Sequence, residues 1–229
     1  MTNVRGWDDV VTASDEAYSL IKSAILNGSF KAGNRLKEND MAAYTGLSRT
    51  PIREALQRLH NEGWVSSTSN KSAFVRSFDR KDIADAYAVR MQLETFAVEQ
   101  AATRITEHQL SNLCTLNDEM EIALSQNTVQ IDTLEMINEK FHRTIIHAAD
   151  NQRLELCLGS IIESPIVFRI YSTYDKTQLL RALNHHREIT SALQLSDGKW
   201  ASAIMAAHLS AARNSIQPDK PVDLSWSSK

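Results

Sequence analysis

Residues 46–64, GLSRTPIREALQRLHNEGW, hold a helix start, an apolar stripe and a helix stop in one short stretch. Ile52, Ala55, Leu56 and Leu59 recur at i, i+3, i+4 and i+7, which puts them on one face of a helix. Ser48 stands where an N-cap belongs, and Gly63 follows the last periodic residue, where a left-handed residue ends a helix. Pro51 would break a helix interior but costs nothing in a first turn, whose N–H groups have no intrahelical partner. Opposite the stripe lie Arg49, Thr50, Arg53 and Gln57. The two arginines are four apart and therefore neighbours. Positive charge at the positive end of a helix dipole is unfavourable unless an anion lies in front of it. The stretch alone leaves two readings, a solvated surface face or a face that meets an anion.

Its surroundings favour the second. Residues 12–27 form an amphipathic pattern with Ala17, Leu20, Ile21, Ala24 and Ile25 as the stripe. Residues 27–36 are expected to be a loop, and 37–47 a short helix ended by Gly46. Two short helices joined by a glycine-containing turn form a helix-turn-helix. After Gly63, WVSSTSNKSAFVRSF has strand-forming residues on both sides of a polar SNKS turn, which predicts a small hairpin acting as a wing. From Asp79 the pattern is helical, with helices expected at roughly 79–104, 106–126, 130–149, 151–173, 177–196 and 198–216. Turn and cap residues mark the joints at Asp150-Asn151 and Ser196-Asp197-Gly198. Pro165 is expected to kink the fourth of these helices, and the short joints imply an antiparallel bundle. The expected fold class is thus mainly α: a winged helix-turn-helix over 12–76 with a β-hairpin wing, then a helical bundle over 79–216.

Composition excludes several alternatives. The chain has 229 residues, 42% hydrophobic and 23% charged, as in ordinary globular proteins. No apolar run approaches the roughly 20 residues of a membrane span. The N-terminus MTNVRGWDDVVTASDE has no signal-peptide core, so a cytoplasmic location without membrane contact is expected. Cys114 and Cys157 offer neither a disulfide framework nor zinc-knuckle spacing, and both are expected to be buried thiols in a reducing compartment. The net charge of −3 is unevenly placed. Residues 12–76 hold nine Lys/Arg against six Asp/Glu, and 77–229 hold 15 against 20. A modestly basic head on an acidic body fits a nucleic-acid partner.

The string AGNRLKENDMAAYTGLSRTPIREALQRLHNEGWV resembles the DNA-binding domain of GntR-type bacterial transcription regulators. The helical remainder, with VRMQLE (89–94), NEKFH (138–142), HREITSAL (186–193) and MAAHL (205–209), is similar to the FCD effector domain of the FadR subfamily, and six bundle helices resemble its VanR-like branch. The resemblance covers about residues 12–216. It implies a homodimer whose recognition helices enter the major groove of a palindromic operator. It implies that Arg49 and Arg53 read base edges or clamp phosphates, that Thr50 bonds a phosphate and that Lys71 of the wing is a phosphate contact. Ser72 departs from the family's pattern, which has glycine there.

Among seven histidines, His60 and His108 read as surface residues, and His147 and His185 as structural. His142, His186 and His208 fall on three different bundle helices, with Asn138 one turn before His142. Three imidazoles converging with an oxygen ligand make a site for a divalent transition metal; a lone core histidine is the blander reading for each. The resemblance favours the metal, because metal-binding FCD domains place Asp, His, His and His at these positions. Here the aspartate is Asn138, which brings no charge, so an anionic effector would compensate. Zinc is the first expectation, with nickel or manganese as alternatives. Arg90 matches an arginine that such domains aim into the cavity, with Tyr87 and Arg169 as further effector candidates; an ion pair between Arg90 and Glu94 is the competing role.

The expected function is a regulator, most often a repressor in this family, controlled by a small carboxylate at the metal. Two alternatives stand beside it: the same regulator with a metal-free organic-acid pocket, and a zinc hydrolase. The hydrolase lacks a placed general base, so the chain is not expected to be an enzyme.

Overall fold

The computed structural model describes residues 12–67, 72–126, 128–162 and 171–215. The chain divides into two compact units, one up to Ser77 and one beginning at Phe78.

In the first unit, α1 (Ala13–Leu26), α2 (Glu38–Thr45) and α3 (Arg49–Asn61) pack with a small sheet. A reciprocal capping box between Thr12 and Asp15 starts α1, satisfying two otherwise orphaned donors. Ala17, Ile21 and Ile25 of α1 are buried with Ile52, Ala55, Leu56 and Leu59 of α3, and the two helices pack together. That apolar face is what holds α3 in place and leaves its opposite face outward. Gly46 ends α2 at φ 76°, and Gly63 follows α3 at φ 80°, a conformation that costs other residues a Cβ clash. Ser48 occupies the N-cap position of α3 but makes no side-chain cap bond.

The wing strands β2 (Val65–Ser67) and β3 (Ala73–Val75) pair antiparallel. Residues 27–36, expected as a loop throughout, contribute a further strand, β1 (Arg35–Leu36), which pairs with the other edge of β3. Two residues are too short for a period-2 signal. Leu36, 1% exposed, supplies the anchor that the loop reading overlooked.

The second unit contains α4 (Arg80–Ala101), α5 (Glu107–Ser125), α6 (Ile131–Ala148), α7 (Gln152–Ile162), a 3-10 turn (Tyr171–Thr173), α8 (Lys176–Gln194) and α9 (Gly198–Asn214). Of the helix expected over 151–173, Gln152–Ile162 is α7 and Tyr171–Thr173 is instead a 3-10 turn; residues 163–170, with Pro165, lie outside the described residues. Capping boxes at Asp79–Asp82, Thr106–Gln109 and Asp175–Gln178 set three of the starts. At the joints, Asp150 and Ser196 take positive φ. Helix α4 packs on α6, α7 and α9, and α8 packs on α5 and α9. One apolar core joins α4, α5, α6, α8 and α9, with Val98, Leu113, Met120, Leu134, Phe141, Ile189 and Leu209 wholly or almost wholly buried, while α7 packs Leu154, Leu158 and Ile162 into a smaller cluster with Ala97, Ile146 and Ala149.

The expectation of two buried thiols is corrected: Cys114 is half-buried and Cys157 exposed. Leu154, Leu158 and Ile162 make the buried stripe of α7, and Cys157 lies one position off it.

Candidate DNA-reading face and candidate metal centre

Arg49, Thr50, Arg53 and Gln57 are exposed on α3, opposite the stripe that buries Ile52, Ala55, Leu56 and Leu59. Arg53 does not stand alone. Its Nε and Nη2 donate to the two carboxylate oxygens of Glu38 at 2.8 and 2.9 Å, across the turn between α2 and α3. Glu38 thereby supplies the local anion that the positive end of α3 demanded, and the sequence reading had not singled it out. Lys71 lies outside the described residues. Ser72 is buried, and its Oγ accepts from Arg35 Nε at 3.1 Å and Nη2 at 2.5 Å. The serine that departs from glycine ties the wing to β1 by its hydroxyl. His60 is exposed, with Nδ1 3.1 Å from the Val65 carbonyl.

In the second unit, α6 carries Asn138 and His142, α8 carries His186 and α9 carries His208, all buried. One nitrogen from each histidine lies within 4.8 Å of one from both others, and His142 Nε2 is 3.3 Å from His208 Nε2. His186 stacks on Phe141 at 3.9 Å between ring centres. Its Nε2 is buried without a hydrogen-bond partner, and such an atom in an apolar core costs free energy unless something satisfies it. Burial, with the neighbouring imidazoles adding to it, pushes the His186 and His208 pKa values well below the usual imidazole range. Both are neutral at pH 7, the form that ligates metals. Three buried imidazoles, one with an orphaned nitrogen, fit a divalent transition metal.

The remaining expected residues divide. Asn138 reaches the region, but its Oδ1 accepts a 2.9 Å bond from the Tyr171 hydroxyl. Arg90 is buried and donates through Nε to Glu94 Oε1 at 2.5 Å, so the ion pair weighed for it is formed. Its guanidinium also lies 4.9 Å from the centre of the buried Tyr87 ring. Arg169 lies outside the described residues. His147 is exposed and faces Glu155 at 3.7 Å, and His185 is half-buried with its ring centre 5.9 Å from that of His208.

Two residues were missed. Glu94 Oε2 lies 2.5 Å from His142 Nδ1, although its only visible sequence signal was the i,i+4 spacing from Arg90. Tyr171 stood near the end of the helix expected over 151–173, and no pattern marked it.

A cavity of about 10 Å³ adjoins His142, lined among others by Arg90, Glu135, Asn138 and Tyr171. It has room for about one water. An open surface groove of about 630 Å³ runs between α5, α6 and α7 past Asn112, Arg143 and Glu155, but the convergent, desolvated polar groups are at the histidines.

A winged helix-turn-helix with an arginine-bearing recognition helix, followed by a helical bundle with a buried polar centre, defines a DNA-binding regulator with a sensor domain. The chain belongs to the gntR family of bacterial regulatory proteins, whose pattern matches residues 13–75, and carries an FCD domain over 85–211. It is 32% identical over 185 residues to the Nta operon transcriptional regulator of Aminobacter aminovorans, covering 79% of this chain and 83% of that one. It is 30% identical to the gluconate operon transcriptional repressor of Bacillus subtilis, covering 93% and 86%. Escherichia coli McbR/YncC shares the fold, with a TM-score of 0.72, 22% identity and coverage of 88% and 95%. The Aminobacter and Bacillus relatives are named as transcription regulators, and the family is one of regulators, not enzymes. Among the described residues, no helix is long and apolar enough to cross a membrane.

Proposed function

We propose that this regulator is a repressor in which residues 12–76 read a palindromic operator, while residues 79–216 form the homodimer and sense a small carboxylate at a divalent metal. The orphaned Nε2 of His186 beside the His142 and His208 nitrogens is the observation that carries the metal. Zinc suits three imidazoles best, and nickel or manganese are alternatives. Arg49 and Arg53 read bases or clamp phosphates, and Thr50 and Lys71 bond phosphates. The repressor reading draws on the relative named for a gluconate operon. Val89 and Phe96 on α4 and Leu156 on α7 are large exposed apolar residues on helices that pack together; they support a second copy of the chain as a partner.

When bound, the metal supplies positive charge and an open position for a carboxylate oxygen. Three neutral histidines leave that charge uncompensated. Arg90 and Tyr87 then orient the rest of the metabolite, with Arg169 as a further candidate, and Asn138 ligates only if its oxygen is shared with Tyr171. A cavity of about 10 Å³ cannot enclose a multi-carbon acid, so binding must open the bundle. That requirement links occupancy to conformation, because a ligand shifts an equilibrium only by its unequal affinity for the two states.

The grip of Tyr171 on Asn138 favours a second reading, a metal-free organic-acid pocket around Arg90. Metal analysis of protein purified without a nickel column separates the two. Gel shifts on the upstream DNA, with and without a panel of carboxylates, then compare the wild type with His186→Ala. The metal reading expects bound metal, and a His186→Ala protein that still binds operator but ignores the carboxylate. An unchanged response in that variant gives the site to the metal-free reading.

A further inference from the structure

The three histidines come from α6, α8 and α9, so α4 contributes no imidazole to the centre. It touches the centre through Glu94 instead. Glu94 is 1% exposed and bridges two groups: Oε1 accepts from Arg90 Nε, and Oε2 lies 2.5 Å from His142 Nδ1. We propose that Glu94 is a positioning residue of the metal site, which fixes His142 as the Nδ1–H tautomer and turns its Nε2 lone pair toward His186 and His208. The proposal rests on the metal reading given above and adds to it the residue that prepares one ligand before any metal arrives.

The hydrogen-bond inventory carries the argument. An ionised carboxylate only accepts, so an oxygen 2.5 Å from a ring nitrogen requires the proton on that nitrogen. Oε1 takes the Arg90 guanidinium in a buried ion pair, so the carboxylate meets the ring as an anion and Oε2 accepts from it. With the proton on Nδ1, the ring that binds a metal offers it Nε2, and that atom is the one 3.3 Å from His208 Nε2. Carboxylate–histidine–metal arrangements of this kind set ring orientation and raise ligand basicity. Arg90 has a place in the same chain: it neutralises Glu94 and fixes its carboxylate plane. Because α4 begins three residues after Ser77, where the first unit ends, the same contact gives the metal centre a hold on the helix that leaves the DNA-reading unit.

The test uses the full-length protein stripped with a chelator and titrated with Zn²⁺ against a chromophoric competitor. Glu94→Gln is expected to weaken Zn²⁺ binding by about 10- to 100-fold. That variant strands the Arg90 charge in the core, so an Arg90→Met/Glu94→Gln protein is measured beside it. Removing both charges spares the fold the cost of an unpaired ion. The double variant should show the same loss of affinity while its metal-free melting temperature stays close to the wild type. Nitrogen-15 spectra of the histidine rings give a readout that packing alone would not move. Metal-free wild type should show His142 protonated on Nδ1, and the double variant should lose that preference. If wild type binds Zn²⁺ and the folded double variant binds it equally well, Glu94 is only an ion-pair partner and the proposal fails. An Nε2–H tautomer for His142 in the wild type overturns it as well. A wild type that binds no Zn²⁺ defeats the metal reading itself, whatever the tautomer.

Discussion

Arg53 of the recognition helix is gripped by Glu38 of the preceding helix, each guanidinium nitrogen of the fork bonding a separate carboxylate oxygen, at 2.8 and 2.9 Å. A bidentate pair of this kind fixes the plane of the guanidinium as well as its position. Side chains that read guanine edges need that plane held. An exposed ion pair adds little to folding, so this grip acts chiefly on the orientation of Arg53, as its proposed reading of a base requires.

The first prediction concerns that pair. Arg53→Ala should weaken operator binding by roughly tenfold or more if the side chain reads a base. Glu38→Ala should lower the ratio of specific to random-DNA binding while raising affinity for random DNA, because it removes a negative charge near the phosphates. Neither change should move the melting temperature by much. Gel shifts at two salt concentrations check this, and binding should weaken as salt rises. Unchanged affinity in Arg49→Ala and Arg53→Ala would remove α3 as the reading element.

The second concerns Asn138. A carboxylate at this position would accept from the Tyr171 hydroxyl as the amide does and would also bring a charge to the cation. Asn138→Asp is expected to tighten Zn²⁺ binding measurably by competition titration. Tyr171→Phe should tighten it less, by freeing the amide oxygen. Equal affinity across all three proteins would show that this corner of the site does not touch the metal.

The third concerns acid. His186 and His208 have folded pKa values pushed well below 6.5 by burial, so the unfolded chain takes up protons first. Their contribution to stability is complete above about 6.5 and is lost as pH falls below that value. Glu94, held at about 2 against 4.5, contributes above 4.5 and loses its contribution between 4.5 and 2. The metal-free protein should thus melt at progressively lower temperature from pH 6.5 downward. His186→Leu should flatten the upper part of that profile. A slope indifferent to His186 would mean that the imidazole is not neutral in the fold.

The fourth tests the packing beneath the site. A Cβ on Gly198 would stand 2.9 Å from the Glu99 carbonyl oxygen, so α9 begins against the backbone of α4 at a distance that only glycine permits. Gly198→Ala should cost about 1–3 kcal/mol of stability, read by denaturant titration. It should also weaken Zn²⁺ binding, because α9 carries His208 and α4 carries Glu94. Full stability in the variant would mean that the two helices slide apart freely.

Much of the molecule was legible in the residues. The stripe Ile52, Ala55, Leu56 and Leu59 marked α3 because helical period and burial are the same fact seen twice. Gly46 and Gly63 marked helix ends because their φ values exclude other side chains. The histidine set stood on three helices, but it was the resemblance to metal-binding FCD domains that picked it out over a reading of each as a core histidine. Short or interrupted elements were not legible. The strand Arg35–Leu36 is set by its partner across the sheet, and the 3-10 turn Tyr171–Thr173 falls within a stretch read as helix.

What the sequence determined by itself was therefore local: helix faces, caps, turns, and which side chains lie inward. Those properties depend on neighbours within about four residues along the chain, whose spacing the helix fixes. The tertiary structure alone decided the pairings across distance. Glu38 meets Arg53, Ser72 receives Arg35, Tyr171 occupies the oxygen of Asn138, and Glu94 reaches His142 from a helix 48 positions away. Each is a directional bond within about 3 Å, and the relative placement of two elements sets it. No periodicity in a single strand of sequence encodes that placement.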